Sequence, residues 1–273
     1  MNPHPSRRAT RVIIALAAAI GLAAVGAGPA IAKVPAAAGI EGWVRVAHLS
    51  PDTKSVDIQL TALRGGETVF ELDDVRYGMV SDYLTLPAGT YVVSMVPSDA
   101  GSDAKPIVSA SVRIVDDKSV TVAALGENDD LQTRVFQDDL TGPASGEARI
   151  RLIQASTVTP AVDVQTSTGI LIARDARAGS STSYATVPAG PWDLELTGSG
   201  VDHSAAVQLP DGSVNTLFVL DNAQGGLTVM SVLDSASVGA APVGGVQTGG
   251  GALARTDTGV DRTDFYAAQT VVR

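Results

Sequence analysis

The sequence predicts an all-β protein built of two tandem antiparallel β-sandwiches, and three observations lead there. Apolar residues alternate with period two: Val44 and Val46 flank Arg45, and Val56, Ile58 and Leu60 alternate with Asp57 and Gln59. Such segments are short and bounded by Gly, Pro, Asp and Ser, the signature of strands. No stretch of the two domains carries a helical period, and one strand pattern occurs twice, over residues 44–140 and 148–234. Several short strands with a turn every 8–12 residues build a sandwich of this size.

The first element is an export signal. Residues 1–11 hold three arginines and no acid, Val12 to Val25 are apolar apart from Gly21, and Ala30-Ile31-Ala32 offers a small-x-small cleavage site. Residues 1–32 are therefore expected to be removed after Ala32. An apolar run of fourteen residues is short for a membrane-spanning helix, which needs about 20. Ser6-Arg7-Arg8 is followed by Ala-Thr-Arg, so both Sec and twin-arginine export stay open.

Two repeats follow. Val44 to Leu60 (VRVAHLSPDTKSVDIQL) aligns on Ile150 to Thr166 (IRLIQASTVTPAVDVQT), and Tyr77 to Val93 aligns on Ala178 to Leu194. The offset falls from 106 to 101 between these blocks, which places five extra residues of the first repeat near Ala62 to Glu67. A third block pairs Asp117–Leu125 with Asp211–Val219. Residues 141–147 (TGPASGE) read as the linker. Each repeat is long enough to close its own core and is expected to fold alone. Pro87-Ala88-Gly89 and Pro188-Ala189-Gly190 are the turns, with proline presetting φ and glycine permitting φ > 0. The last element, residues 235–273, is expected to be a disordered tail. Six of the thirteen residues from Gly239 to Gly251 are glycine, and Leu253-Ala254-Arg255-Thr256-Asp257 lacks the glycine of an L-A-x-T-G sorting signal.

The chain has 273 residues, a charge of −10 and no cysteine. Loss of Arg7, Arg8 and Arg11 with the signal leaves −13. That balance argues against nucleic acid and anionic membranes, which reward clustered Lys and Arg. Absence of cysteine removes disulfides, thiolate chemistry, Cys-based metal sites and a lipidated N-terminal cysteine.

His48-Leu-Ser-Pro-Asp-Thr-Lys-Ser-Val-Asp-Ile58, followed by Tyr83-Leu-Thr-Leu-Pro-Ala-Gly-Thr-Tyr91, resembles the family known as domain of unknown function 4397. The second repeat keeps Ser156, Pro160, Val162, Asp163, Tyr184 and the Pro-Ala-Gly turn, but has Gln154, Thr157 and Val158 where the motif has His, Pro and Asp. The resemblance implies immunoglobulin-like β-sandwiches in exported bacterial proteins, often in tandem, with no established activity.

His48, Ser50 and Asp52 invite a triad reading. At i, i+2 and i+4 of an extended segment they lie in a row, successive members about 6–7 Å apart, so neither contact of a triad follows. The competing reading has Ser50 and Asp52 capping loop amides and His48 ending a core-facing row. Four acidic pairs, Asp73-Asp74, Asp116-Asp117, Asp129-Asp130 and Asp138-Asp139, read as charged solvated turns; Glu127-Asn128-Asp129-Asp130 has ligand oxygens for calcium without the loop pattern. Nothing nominates a pair of glycosidase carboxylates, and no G-x-S-x-G, H-E-x-x-H or phosphate loop occurs. Tyr83 and Tyr184 sit four residues before their turns, where a sandwich tyrosine bonds nearby backbone. Trp43 and Trp192 are expected to fill core or inter-repeat space.

The expectation is an exported non-enzymatic module, secreted and free or loosely wall-associated, that binds a protein or glycan of the envelope. No cofactor, metal, nucleic acid or stable membrane anchor after cleavage is implied. Two alternatives are a spacer without ligand and a hydrolase with an unrecognised site. A polar ligand would favour the first repeat, whose His48, Ser50 and Asp52 put an imidazole, a hydroxyl and a carboxylate at one strand-to-loop junction.

Overall fold

The computed structural model describes residues 40–101 and 104–235; the expected export signal and, beyond Ser235, the Gly-rich tail lie outside them. The first repeat supplies β1 (Glu41–Leu49), β2 (Val56–Ala62), β3 (Thr68–Val75), β4 (Met79–Val80), β5 (Leu84–Pro87), β6 (Gly89–Pro97), β7 (Val108–Ile114), β8 (Ser119–Leu125) and β9 (Gln132–Asp138). The second supplies β10 (Glu147–Gln154), β11 (Ala161–Thr166), β12 (Leu171–Arg177), β13 (Ala185–Pro188), β14 (Gly190–Gly198), β15 (Val201–Leu209), β16 (Val214–Asp221) and β17 (Leu227–Ser235).

Each repeat is a two-sheet, immunoglobulin-like β-sandwich, and the strand order is the same in both. One sheet runs β3-β2-β6-β7 and its counterpart β12-β11-β14-β15; the other runs β1-β8-β9, flanked by β4 and β5, and its counterpart β13-β10-β16-β17. Where β4 pairs with Ala47 and His48, the second repeat makes only an isolated bridge between Ile153 and Ser181. Pairing is antiparallel except at β1–β8 and β10–β16, which run parallel because the chain visits the opposite sheet between them.

The alternation seen in the sequence builds the two sandwich cores. Val44, Val46, Val120 and Val122 face Ile58, Leu60, Val93 and Met95 in the first. Ile150, Leu152, Leu217 and Val219 face Val162, Val164, Leu194 and Leu196 in the second. The other faces of β1, β8, β10 and β16 are buried too. Ala47, Leu49, Ala123 and Leu125 of the first repeat pack on Ile153, Phe218 and Leu220 of the second, a third core shared by both. Strands buried on two faces lose their polar alternation. That is why β8 (SVTVAAL) and β16 (VNTLFVLD) are buried at every position.

Three sequence readings shift. The third repeat block slips by one: Val44 pairs with Val120 while Ile150 pairs with Asn215, so Thr121 corresponds to Thr216. The matching Asp-x-Ser-Val runs of the two turns set the blocks one residue out of step, a slip that would invert the faces of β16. β16 itself pairs with β10 without a break, and the bulge opposite Val214/Asn215 adds Asp234 to β17. Of the two turn glycines, only Gly190 uses positive φ, at 128°. Asp138, read as a solvated turn, is buried, because its side chain points inward at the end of β9. The five extra residues form the β2–β3 hairpin loop, closed by Ala62 N–H donating to Glu67 O at 2.8 Å.

Candidate functional site

His48, Ser50 and Asp52 sit where β1 runs into its loop. His48 is fully buried; its Nε2 lies 3.2 Å from Lys54 O and its Nδ1 has no hydrogen-bond partner. Burial holds its pKa below 6.5. Ser50 is also buried, and its Oγ bonds Thr53 Oγ1 at 2.6 Å and Asp52 Oδ1 at 3.3 Å. The exposed Asp52 accepts from Asn128 N–H at 2.9 and 3.1 Å, and Asn128 Nδ2 donates to Asp52 O at 2.9 Å. Thr53 closes the set by donating to Asn128 Oδ1 at 2.6 Å. The structure thus joins Ser50 to Asp52 and gives His48 a different partner, so no base touches the hydroxyl. These bonds fasten the loop after β1 to the 3-10 turn Asn128–Asp130 that follows β8.

The second repeat fastens the same loop with different residues. Gln154, in the place of His48, donates to Thr159 O and accepts from Ser156 N–H. Ser156 Oγ, Thr157 N–H and Thr157 Oγ1 all donate to Asp221. Asp221 stands where the first repeat has Gly126, so the carboxylate has moved from the loop to the strand end. Gly126 cannot follow it: φ is 93°, and a Cβ there would lie 2.5 Å from Asp130 O. Asp221 was hidden in the sequence, because the slipped alignment set it against Glu127, and Asn128 was read only within a run of calcium-type oxygens, not as a tether of the loop.

A second polar cluster lies in the seam between the repeats, and it is reciprocal. Arg45 donates to Asp234 at 2.6 Å, to Thr216 at 3.2 Å and to Thr121 at 2.8 Å. Arg151 donates to Asp138, to Thr121 at 3.4 Å and to Thr216 at 3.0 Å. Each guanidinium thus pairs with the other repeat's carboxylate, and both ion pairs are almost wholly buried. Burial alone would lower the Arg45 pKa; Asp234, Tyr83, Asp138 and Tyr184 together outweigh it, and the guanidinium stays charged well above its ordinary range. Tyr83 donates to Asp138 at 2.7 Å and Tyr184 to Asp234 at 3.3 Å, with burial raising both phenol pKa values. Each ring also lies under a guanidinium, Arg45 over Tyr83 at 4.8 Å and Arg151 over Tyr184 at 4.9 Å.

Arg45 alternates with valines yet faces a second core rather than solvent. One expectation is corrected here. Tyr83 and Tyr184 bond carboxylates; the backbone bonds at the two turns come from Tyr91 to Pro87 O at 2.8 Å and Trp192 to Pro188 O at 3.0 Å.

Register fixes the two ends of this assembly. Trp43, Ser119 and Asp138 are level with one another, as are Arg149, Val214 and Ser235. The ion pairs between Arg45 and Asp234 and between Arg151 and Asp138 set these levels side by side. At the other end Tyr77 Oη accepts from Asp221 N–H at 2.7 Å and donates to Asp221 O at 3.2 Å. The repeats therefore lie parallel. Their chain connections gather at one end and the loops after β1, β8, β10 and β16 at the other.

Among the described residues no group of His, Cys, Asp and Glu is placed to hold a metal ion. Residues 42–165 match the family model described as Domain of unknown function (DUF4397). The match covers 124 of the 273 residues, less than half of the chain. The DUF4397 match takes in the first repeat and reaches β11 of the second. No curated protein matches the chain. Among the solved structures similar to it are the following three. The Bacillus anthracis TIE protein is 10% identical with a TM-score of 0.25, covering 66% of this chain, which spans only 34% of that protein. The tip fimbrial protein Mfa3 from Porphyromonas gingivalis is 7% identical with a TM-score of 0.24, over 71% of this chain and 99% of that one. A candidate cell adhesion protein from Bacteroides fragilis is 11% identical with a TM-score of 0.18, over 70% and 97%. Likeness at these scores bears on neither fold detail nor function.

Proposed function

We propose that the chain is a non-enzymatic module of the envelope or extracellular space, secreted and at most loosely wall-associated. It binds a protein or glycan through loops at the end remote from its chain connections. One observation carries the reading: residues 41, 139–146 and 235 sit together, and the loops after β1, β8, β10 and β16 lie at the opposite end. A spacer holds two things apart and calls for attachments at opposite ends, so this placement favours a binding head. A hydrolase calls for a nucleophile in contact with a base, and His48 and Ser50 have separate partners.

The first repeat is the preferred side. Asp52, Glu127, Asn128, Asp129 and Asp130 are exposed around its loops, while His48 and Ser50 support them from below. Immobilised full chain, exposed to cell-wall fractions and secreted proteins, should retain a specific partner. Glu127→Lys with Asp129→Lys should abolish that capture with unchanged thermal unfolding. A partner retained equally by the variant would move the site elsewhere, and no partner at all would leave the spacer as the better reading.

A further inference from the structure

We propose that β15 is an association edge, through which two molecules of this chain pair antiparallel and join their β12-β11-β14-β15 sheets into one eight-stranded sheet. This inference stands apart from the loop-end reading and rests on different residues.

β15 pairs with β14 without interruption from Gly190↔Leu209 to Gly198↔Val201. The connecting turn is two residues, Ser199-Gly200, with Gly200 at φ 79°. A turn of this length makes Gly198 and Val201 a hydrogen-bonded pair, so the odd-numbered residues of β15 bond β14. Asp202, Ser204, Ala206 and Gln208 then aim their N–H and C=O groups away from the sheet. Among the described residues no backbone or side-chain group reaches them.

The other outer edges are guarded. β3 is bulged at Asp74, whose φ is 60° and whose N–H donates to Asp57 Oδ1 at 2.9 Å. β12 repeats the device at Asp175, φ 47°, with Asp163 Oδ1 at 2.6 Å. Bulges and charged side chains are the usual means of preventing edge pairing. β7 is shorter than β15 and carries Arg113. β15 has nine residues, no bulge against β14, no Lys, Arg or Pro, and Asp202 near one end as its only acidic side chain.

The occupant follows from the strand's own sequence. An antiparallel pair centred on Ala205 uses all nine residues and matches outward-bonding positions with outward-bonding positions. On the solvent face it sets Asp202 opposite Gln208 of the second molecule and Ser204 opposite Ala206, with no like charges facing. On the core side it sets Val201 against Leu209, His203 against Val207 and Ala205 against itself. Val201, His203 and Ala205 are half-buried in one molecule, and pairing would cover them.

Sedimentation velocity on the full chain tests this. Wild type should show a concentration-dependent dimer. Ala206→Pro removes an outward N–H and no bond to β14, and should give a monomer with unchanged thermal unfolding. Gln208→Lys, facing Asp202 of the second molecule, should tighten the dimer several-fold, and Gln208→Asp should weaken it by a similar factor. Should the proline variant fail to fold, the opposite responses of the two Gln208 variants still decide. A wild-type monomer at every concentration, a dimer indifferent to Ala206→Pro in folded protein, or two Gln208 variants moving together would each overturn the proposal.

Discussion

Arg45 reaches out of the first repeat to Asp234 of the second at 2.6 Å, with 1% and 0% of the two side chains exposed. Asp138 and Arg151 make the same bond in the opposite sense. Removing one member of such a pair strands a charge in a dry interior, which costs about 3–5 kcal/mol. Asp234→Asn should lower unfolding stability by that amount in urea, while Asp99→Asn, which frees the exposed Lys54, should leave the midpoint unchanged. Equal effects of the two variants would show that the seam is wet.

The shared core makes a second prediction. Each repeat has its own apolar interior, but Phe218 and Leu220 are buried against Leu49 and Leu125 across the seam. The repeats should therefore unfold together rather than as autonomous units. Trp43 lies in one and Trp192 in the other. Trp43→Phe and Trp192→Phe each leave a single fluorophore reporting one repeat. Coincident urea transitions are expected, and Phe218→Ala should lower both by about 3–5 kcal/mol. Two separated transitions would contradict the shared core.

His48 sets a pH response. Burial keeps its ring neutral in the folded chain, whereas the unfolded chain protonates it as pH falls past 6.5. The unfolded state then binds the extra proton. Stability from this residue is complete above pH 6.5 and is lost as pH falls from there toward the folded value. His48→Gln, the residue found at the equivalent position of the second repeat, should flatten the difference between pH 7.5 and pH 5.5 in urea midpoints. An identical slope in both proteins would refute the assignment.

Exchange of the loop tether between repeats should not be reversible. Gly126→Asp meets Asp130 O and a positive φ, so it should destabilise by about 1–3 kcal/mol although the second repeat thrives on Asp221. Asp221→Gly should loosen residues 156–158, read as faster amide exchange at Thr157 and Val158. Neutral behaviour of Gly126→Asp would mean that the turn is not tight.

Much of this architecture was legible because a period of two in short runs has few structural solutions. Val44, Val46, Ile58 and Leu60 announced a sandwich, and the doubled pattern announced a second. What stayed hidden was the seam. Arg45 between two valines reads as solvent-facing in a lone sandwich; only its return as Arg151 between Ile150 and Leu152 hints at another use. The matching Asp-x-Ser-Val runs before β8 and β16 then set the alignment one residue out of step, hiding the kinship of Thr121 with Thr216 and of Gly126 with Asp221. At the loop, Ser50 and Asp52 were read as caps and do bond loop groups, but their principal partner, Asn128, is 76 residues from Asp52 and no local pattern names it.

The shared placement of the chain connections has a mechanical meaning. Tension between residues 41 and 235 acts across one rim, and the rungs between strands meet it one after another, as in peeling. A pull on the loops of the far rim, resisted at that same rim, runs lengthwise along β1, β8, β10 and β16. The rungs of the two parallel pairs are then loaded simultaneously in shear. A bound object that drags on this protein would be held by the stiffest direction it has.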